Sequence, residues 1–321
     1  MKQILITCDT EIGELTINSP DAFDVFINGN VAGESVGYNL INKIANKYSA
    51  KVTHFIDIYS CIYNDDKKYI DLCNKILSSG NDIALHTHPS KLYDKHRRYM
   101  FQYSLNEQIE IIEFGKTKLF EWTGVIIIGH RSGGYGSDNN TMKALRKNDI
   151  QFDCSFFANN PMCKIKAFNV NKFFSINGVT QLPVTVFKKK IMSFPGKIEK
   201  YLFQKLDFRY GASVEDILYT INEMPQSSII VLFLHSFNFL KLRYNFKKKS
   251  FSKISINQSL INSFDRLLNG ISIMNECEFR TLDTIKLDNT LEDVVPEVLI
   301  KKSIADSFKH KIHKLIGVLY I

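Results

Sequence analysis

His86-Thr87-His88 carries two imidazoles two residues apart. In an extended segment residues i and i+2 project from the same side, so both rings can reach one cation. Asp9 and Glu11 repeat that spacing and bring two carboxylates to one face. Two nitrogens and a carboxylate oxygen, with one position left open, describe a catalytic site of the zinc type. In a chain with eight histidines an H-x-H pair also arises by chance, and acids at strand ends often serve as helix caps, so neither pair carries chemistry alone. Further along the chain Arg131 opens the run Arg131-Ser132-Gly133-Gly134-Tyr135, Asp153 stands in Phe152-Asp153-Cys154-Ser155, and Phe233-Leu234-His235-Ser236 ends an apolar stretch.

These groups act together only if the fold converges them. Short apolar runs alternate with longer amphipathic segments. Lys2–Thr7, Val52–Ile56, Ile83–His86, Val125–Gly129, Phe152–Ser155 and Ile229–His235 read as strands. Ser35–Tyr48, Asp66–Ser78, Leu105–Trp122, Asn140–Lys147, Val214–Met224 and Ile256–Asn269 read as helices. This alternation predicts a parallel sheet with crossover helices, closed or nearly closed into a barrel. In such barrels the chemistry gathers at the C-terminal strand ends, where these polar residues lie. No glycine-rich phosphate-binding motif follows a strand, which disfavours a dinucleotide or P-loop site.

The chain has 321 residues, 45% of them hydrophobic and 23% charged, which excludes a disordered or collagen-like protein. Its net charge of +8 favours anionic partners. The N-terminus lacks an apolar run long enough for a secretory signal, and no window reaches the roughly 18 apolar residues of a membrane span. A cytoplasmic location with six reduced cysteines is the expectation. Residues 188–211 and 237–255 break the alternation as basic, aromatic insertions; nucleic-acid binding through Lys241–Lys249 is disfavoured because no recognised module accompanies it.

The order Thr-Cys-Asp-Thr-Glu, Leu-His-Thr-His-Pro, His-Arg-Ser-Gly-Gly-Tyr-Gly, Phe-Asp-Cys-Ser-Phe and Leu-Phe-Leu-His-Ser resembles the five motifs of the polysaccharide deacetylase family, the NodB-homology group of carbohydrate esterases. The resemblance runs from Lys2 to Leu282 and is closest to the intracellular WbmS-like branch of surface-polysaccharide gene clusters. It implies an α/β fold, a distorted (β/α)7 barrel, spanning residues 1–290. It also implies one divalent metal, usually Zn2+, and removal of an acetyl or other small acyl group from an N-acylated sugar.

By matching, Asp9 is the catalytic base, His86 a metal ligand and Arg131 the orienter of Asp9. Asp153 is the acid that tunes His235, and His235 the general acid. The sequence departs from the family in three places. Thr10 replaces the second of two adjacent aspartates, so Glu11 is read as the metal carboxylate, with exchange of roles between Asp9 and Glu11 left open. The second histidine follows the first by two residues, which makes His88 the inferred second ligand. Phe233 replaces the leucine of the acyl pocket, favouring a small acyl group. Tyr135 and Ser236 are the remaining substrate-binding candidates.

Cytoplasmic action implies a precursor sugar, nucleotide-linked or polyprenyl-phosphate-linked, as in lipopolysaccharide or capsule biosynthesis. The alternatives are a sugar-binding barrel that has lost catalysis, and a deformylase or other amide hydrolase on the same carriers. In the tail, residues 291–321, Ile300, Ile304, Phe308, Ile312 and Ile316 recur every four residues and predict an amphipathic helix over Val298–Ile321. Its lysines fall mostly off the apolar stripe. Such a helix either packs on its own barrel or docks on an anionic membrane surface.

Overall fold

In a computed structural model the chain is described at residues 1–13, 21–63, 65–192, 198–245 and 250–301. The first strand, β1 (Lys2–Thr10), is buried along its whole length. Because successive side chains alternate between faces, it feeds two cores. Ile4, Ile6 and Cys8 join the large cluster beneath the helices, whereas Leu5 joins a small inner cluster with Phe55, Ala84 and Val231. A strand covered on both faces reads as an unbroken apolar run, as in parallel sheets flanked by helices.

After β1 come α1 (Ala22–Phe26), the short pair β2 (Asn30–Val31) and β3 (Glu34–Ser35), α2 (Tyr38–Lys47), β4 (Val52–Asp57), α3 (Asp66–Ser78) and β5 (Asp82–Thr87). Next are α4 (Leu105–Thr123), β6 (Gly129–Ser132), α5 (Asn139–Lys147), β7 (Phe152–Asp153), and the hairpins β8 (Phe174–Ile176)/β9 (Val179–Gln181) and β10 (Val186–Met192)/β11 (Ile198–Lys205). The remainder is α6 (Val214–Glu223), β12 (Ile229–His235), the hairpin β13 (Leu240–Asn245)/β14 (Ser250–Ile256), α7 (Gln258–Ser272), β15 (Cys277–Phe279) and β16 (Glu297–Lys301). Helix boundaries follow local chemistry. Ser104 and Glu107 form a reciprocal capping box before α4, and Gly124 ends that helix in the left-handed conformation at φ 71°.

The main sheet runs β12-β1-β4-β5-β6-β7-β9-β8, with β15 beside the start of β1. Every neighbour from β12 to β9 is parallel and only β8 is antiparallel. The result is a mixed α/β fold with a curled half-barrel sheet. It does not close by a strand ladder among the described residues. Instead the Val231 N–H donates to Thr185 Oγ1 at 2.9 Å and the Phe233 N–H to Leu206 O at 3.2 Å, so an irregular segment covers that side of β12. An irregular segment, residues 154–173, and strand β8, not a helix, lead from β7 to β9, which departs from the regular repeat that the sequence predicts.

Three other expectations change. The basic insertions are antiparallel hairpins, and β10 of the first is paired on both sides, by β11 and by β16. Strand β6 begins only at Gly129, the last residue of the expected strand Val125–Gly129 and beyond its whole apolar run. In the tail, Glu297–Lys301 is not helical: it pairs in parallel with Lys188–Met192, backbone hydrogen bonding to β10 overriding the four-residue period. The rest of the predicted terminal helix lies outside the described residues. No described helix is long and apolar enough to cross a membrane.

Candidate metal centre and active site

The register of the sheet sets the site. Asp9 is opposite His235 across β1 and β12, and His86 is opposite Arg131 across β5 and β6. Alternation sends Leu5, Phe55, Ala84 and Val231 to the inner face as an apolar floor. At the C-terminal edge above that floor stand Asp9, His86, Arg131 and His235.

The three predicted ligands converge. Ligand atoms of Glu11, His86 and His88 all lie within 4.8 Å of one another. Glu11 Oε2 is 2.5 Å from His88 Nε2 and 3.6 Å from His86 Nε2, while its Oε1 faces His235 Nε2 at 3.6 Å. The two rings sit edge to face, centroids 4.8 Å apart. His86 Nδ1 is 2.8 Å from the Arg131 carbonyl oxygen and donates to it. That leaves Nε2 aimed at Glu11 and at Asp9 Oδ2, 3.7 Å away. Burial opposes a charge on the ring, but Asp9 and Glu11 outweigh it and push the His86 pKa up. Two carboxylates that favour positive charge at this nitrogen, with a second imidazole beside it, fit a divalent cation that takes the place of the proton.

Gly133 makes this packing possible. A Cβ there would run into the His88 imidazole, so only glycine admits the second ring. The next turn places Tyr135 at φ 63°, a left-handed conformation that non-glycine residues seldom adopt. It brings the tyrosine ring to 6.0 Å from that of Phe233.

Asp9 is held from behind. Arg131, wholly buried, donates through Nη1 to Asp9 Oδ1 at 2.6 Å, through Nη2 to Thr7 Oγ1 at 3.0 Å and through Nε to Cys154 O at 3.2 Å. Its guanidinium lies 4.2 Å over the Phe55 ring, on the apolar floor. Burial pushes the Asp9 carboxyl up, but Arg131, with His86 and His235, pulls it further down, and the net shift is downward. The result is an ionised, oriented carboxylate beside the trio. Glu11 is likewise well below the usual range: burial opposes ionisation, and His88, His86 and Lys91 outweigh it.

Two assignments expected from the motif order are corrected. Asp153 does not reach His235; its Oδ1 is 2.6 Å from His130 Nδ1, whose Nε2 meets Thr87 Oγ1 at 3.0 Å. His130 is Asp153's register neighbour on β6, and both point away from the site. Without Asp153, His235 is pushed down to about 4, by burial first, against the pull of Glu11 and Asp9. It is neutral near pH 7 and so does not carry at rest the proton that the general acid expected from the motif order would donate. Ser236, following the inward His235, points outward, and its hydroxyl donates to the Phe26 carbonyl at 2.7 Å, tying α1 down.

Phe233 does line the centre, its ring 4.8 Å from that of His235 and packed with Tyr135, Val184 and Phe157. His54, in β4, is a core histidine with both ring nitrogens partnered, and His96 is exposed.

Four participants are not apparent from motif or spacing. Lys205 puts its ammonium 3.5 Å from the Phe233 ring centroid and donates to Tyr135 Oη at 3.2 Å, with Asp207 Oδ2 also 3.2 Å away. The buried pair Asp57–Lys91 stands behind Glu11. For Asp57 a signal existed: it is a carboxylate at a strand end.

No protein-family model matches the chain, and no curated protein matches it. Solved structures do. A Mycobacterium smegmatis protein assigned to the polysaccharide deacetylases aligns over 94% of both chains with a TM-score of 0.55 at 13% identity. A peptidoglycan deacetylase from Bacillus subtilis covers 98% of this chain and 95% of its own at TM-score 0.42 and 12% identity. A family 4 carbohydrate esterase from Streptomyces lividans, in complex with acetate, covers 92% and 98% at TM-score 0.44 and 10% identity. At such identities it is the fold that is shared, and the likeness to the mycobacterial structure is the one that supports it.

Proposed function

We propose that the protein is a metal-dependent hydrolase that removes an acetyl or other small acyl group from the nitrogen of a sugar. The carrying observation is the placement of an ionised, arginine-held Asp9 beside the converging trio of Glu11, His86 and His88. In this reading those three hold a divalent cation, most simply Zn2+. A cation bound there supplies Lewis acidity, polarising the amide carbonyl and acidifying a water.

The chain's own residues do the rest. Asp9 accepts a proton from the attacking water as its oxygen bonds to the carbonyl carbon. Arg131 keeps Asp9 ionised and aimed, and the Phe233 ring beside His235 limits the space for the acyl group. When the C–N bond breaks, the amine takes a proton. His235, neutral at rest, can pass on only a proton gained during the cycle, so Asp9 is the first source and His235 the relay. The free amine and the carboxylic acid leave.

The substrate proposed is a surface-polysaccharide precursor on a nucleotide or polyprenyl phosphate in the cytoplasm, the chemistry of the WbmS-like branch. The net charge of +8 and the exposed Lys241 and Arg243 support an anionic carrier. Membrane contact through the tail is part of this proposal and rests on its sequence pattern alone.

A second reading, a sugar-binding barrel without catalysis, is favoured by one observation: Asp153 is paired with His130, and burial of His235 outweighs Glu11 and Asp9 and leaves it uncharged. Acetate release from N-acetylated sugars decides between them, measured on the chelator-stripped protein before and after zinc is restored. Zinc-dependent release that Asp9→Asn abolishes supports the hydrolase. Saturable sugar binding with no release under either condition supports the binding barrel.

A further inference from the structure

Asp57 and Lys91 form a buried ion pair immediately behind Glu11, and the reaction proposed above gives them no role. Asp57 ends β4 with its side chain wholly inaccessible, and the Lys91 side chain is 2% exposed. Such a pair is costly to desolvate and persists only where its remaining donors and acceptors are satisfied. Here they are. Lys91 Nζ donates to Asp57 Oδ2 at 2.5 Å and to the Ile12 carbonyl at 2.6 Å. Asp57 also accepts from Ser60 Oγ at 2.5 Å and from the Tyr59 N–H at 3.3 Å. Ile12 directly follows Glu11, where β1 has ended and no ladder holds the backbone. The same ammonium is 3.9 Å from Glu11 Oε2, the oxygen that faces His86 and His88.

We infer that Lys91 is a positioning residue for the metal carboxylate. It clamps the backbone after β1 to the end of β4 and thereby aims Glu11 at the two histidines. Asp57 is the anchor that keeps the ammonium in place. The inference rests on the metal reading of the trio and extends it to a second layer.

The direction of the effect separates this role from a simpler one. An ammonium that acted only through its charge would repel a bound cation, so its removal would tighten metal binding. A clamp acts the other way, because losing an outer partner of a metal ligand typically weakens affinity about 10–100-fold. The test is the zinc Kd of the full chain, measured by competition with a chromogenic chelator, for wild type, Lys91→Met and the double variant Asp57→Asn/Lys91→Met. The double variant leaves no unpaired buried charge and keeps the comparison valid if the single variant folds poorly. Both variants are expected to bind zinc about 10–100-fold more weakly, with the double variant melting closer to wild type. An unchanged or tighter Kd in the folded double variant overturns the clamp while leaving the metal site intact. Wild type that binds no zinc overturns the metal reading and the clamp together. A wild-type Kd in the sub-micromolar range alongside inactivity toward every sugar overturns only the proposed reaction.

Discussion

His86 and His54 lie on neighbouring strands, both buried, and differ in what their second nitrogen meets. His54 faces the helices: Nδ1 is 2.9 Å from Thr10 Oγ1 and Nε2 is 2.8 Å from Asn42 Oδ1. His130 is similar, with Asp153 on one nitrogen and Thr87 on the other. His86 spends Nδ1 on the Arg131 carbonyl and leaves Nε2 toward two carboxylates at 3.6 and 3.7 Å. Two polar networks thus occupy the two faces of one sheet. The outward one is closed upon itself and structural. The inward one has ligand atoms to spare, and those atoms define the proposed centre.

The contrast breaks most visibly at Asp9 and His86. Asp9→Asn is expected to lower kcat by about 10²–10⁴-fold, the usual contribution of a positioned base. His86→Ala is expected to abolish zinc retention as well as turnover, while His54→Gln leaves both near wild type. Acetate release and bound zinc measured on all three variants check this. Loss of zinc from His54→Gln with retention in His86→Ala would reverse the two networks.

Asp153→Asn sharpens the comparison on the outward side. One partner of a buried, hydrogen-bonded chain is altered, so stability is expected to fall by about 1–3 kcal/mol in urea denaturation. The acid limb of the kcat/KM profile is expected to stay in place. A displaced acid limb would mean that Asp153 acts on His235 after all.

The effect that is smallest per step concerns pH. Burial pushes His54 down to about 3, below the ordinary value near 6.5 that it takes when unfolded. Between these values the unfolded chain binds the extra proton. The stabilisation is therefore complete above about pH 6.5 and is lost as pH falls toward 3, by up to ~1.4 kcal/mol per pH unit. Urea midpoints taken from pH 7 to pH 4 are expected to fall with a slope that His54→Gln flattens by one proton. An identical slope in the variant would place the acid sensitivity elsewhere.

Much of the inward network was legible because strand periodicity is local. A run such as Ile229–His235 shows which side chains share a face, and the polar residues at the strand ends stand out against it. By the same rule His130 turns away from Arg131, and Ser236, one residue after His235, turns away from the site. The partner of Asp153 was not legible. It depends on the register between β6 and β7, two short strands whose pairing no local pattern announces. The clamp on Glu11 was hidden for a related reason: Lys91 follows the histidines as an ordinary loop lysine, and only its burial against Asp57 and Ile12 reveals a use.

By itself the sequence determined which residue types stand at the ends of which strands, and so the kind of chemistry this chain can support: two nitrogens, two carboxylates, an arginine and a late histidine in a fixed order. Those properties depend on neighbours a few residues away, where alternation and helical period are set by backbone geometry. The tertiary structure alone decided which acid met which base. Arg131 reaches Asp9 across 122 residues and Lys91 reaches Asp57 across 34. Whether a carboxylate is a base, a ligand or an anchor follows from burial and from the one or two groups within hydrogen-bond distance, and those are fixed only when distant segments pack.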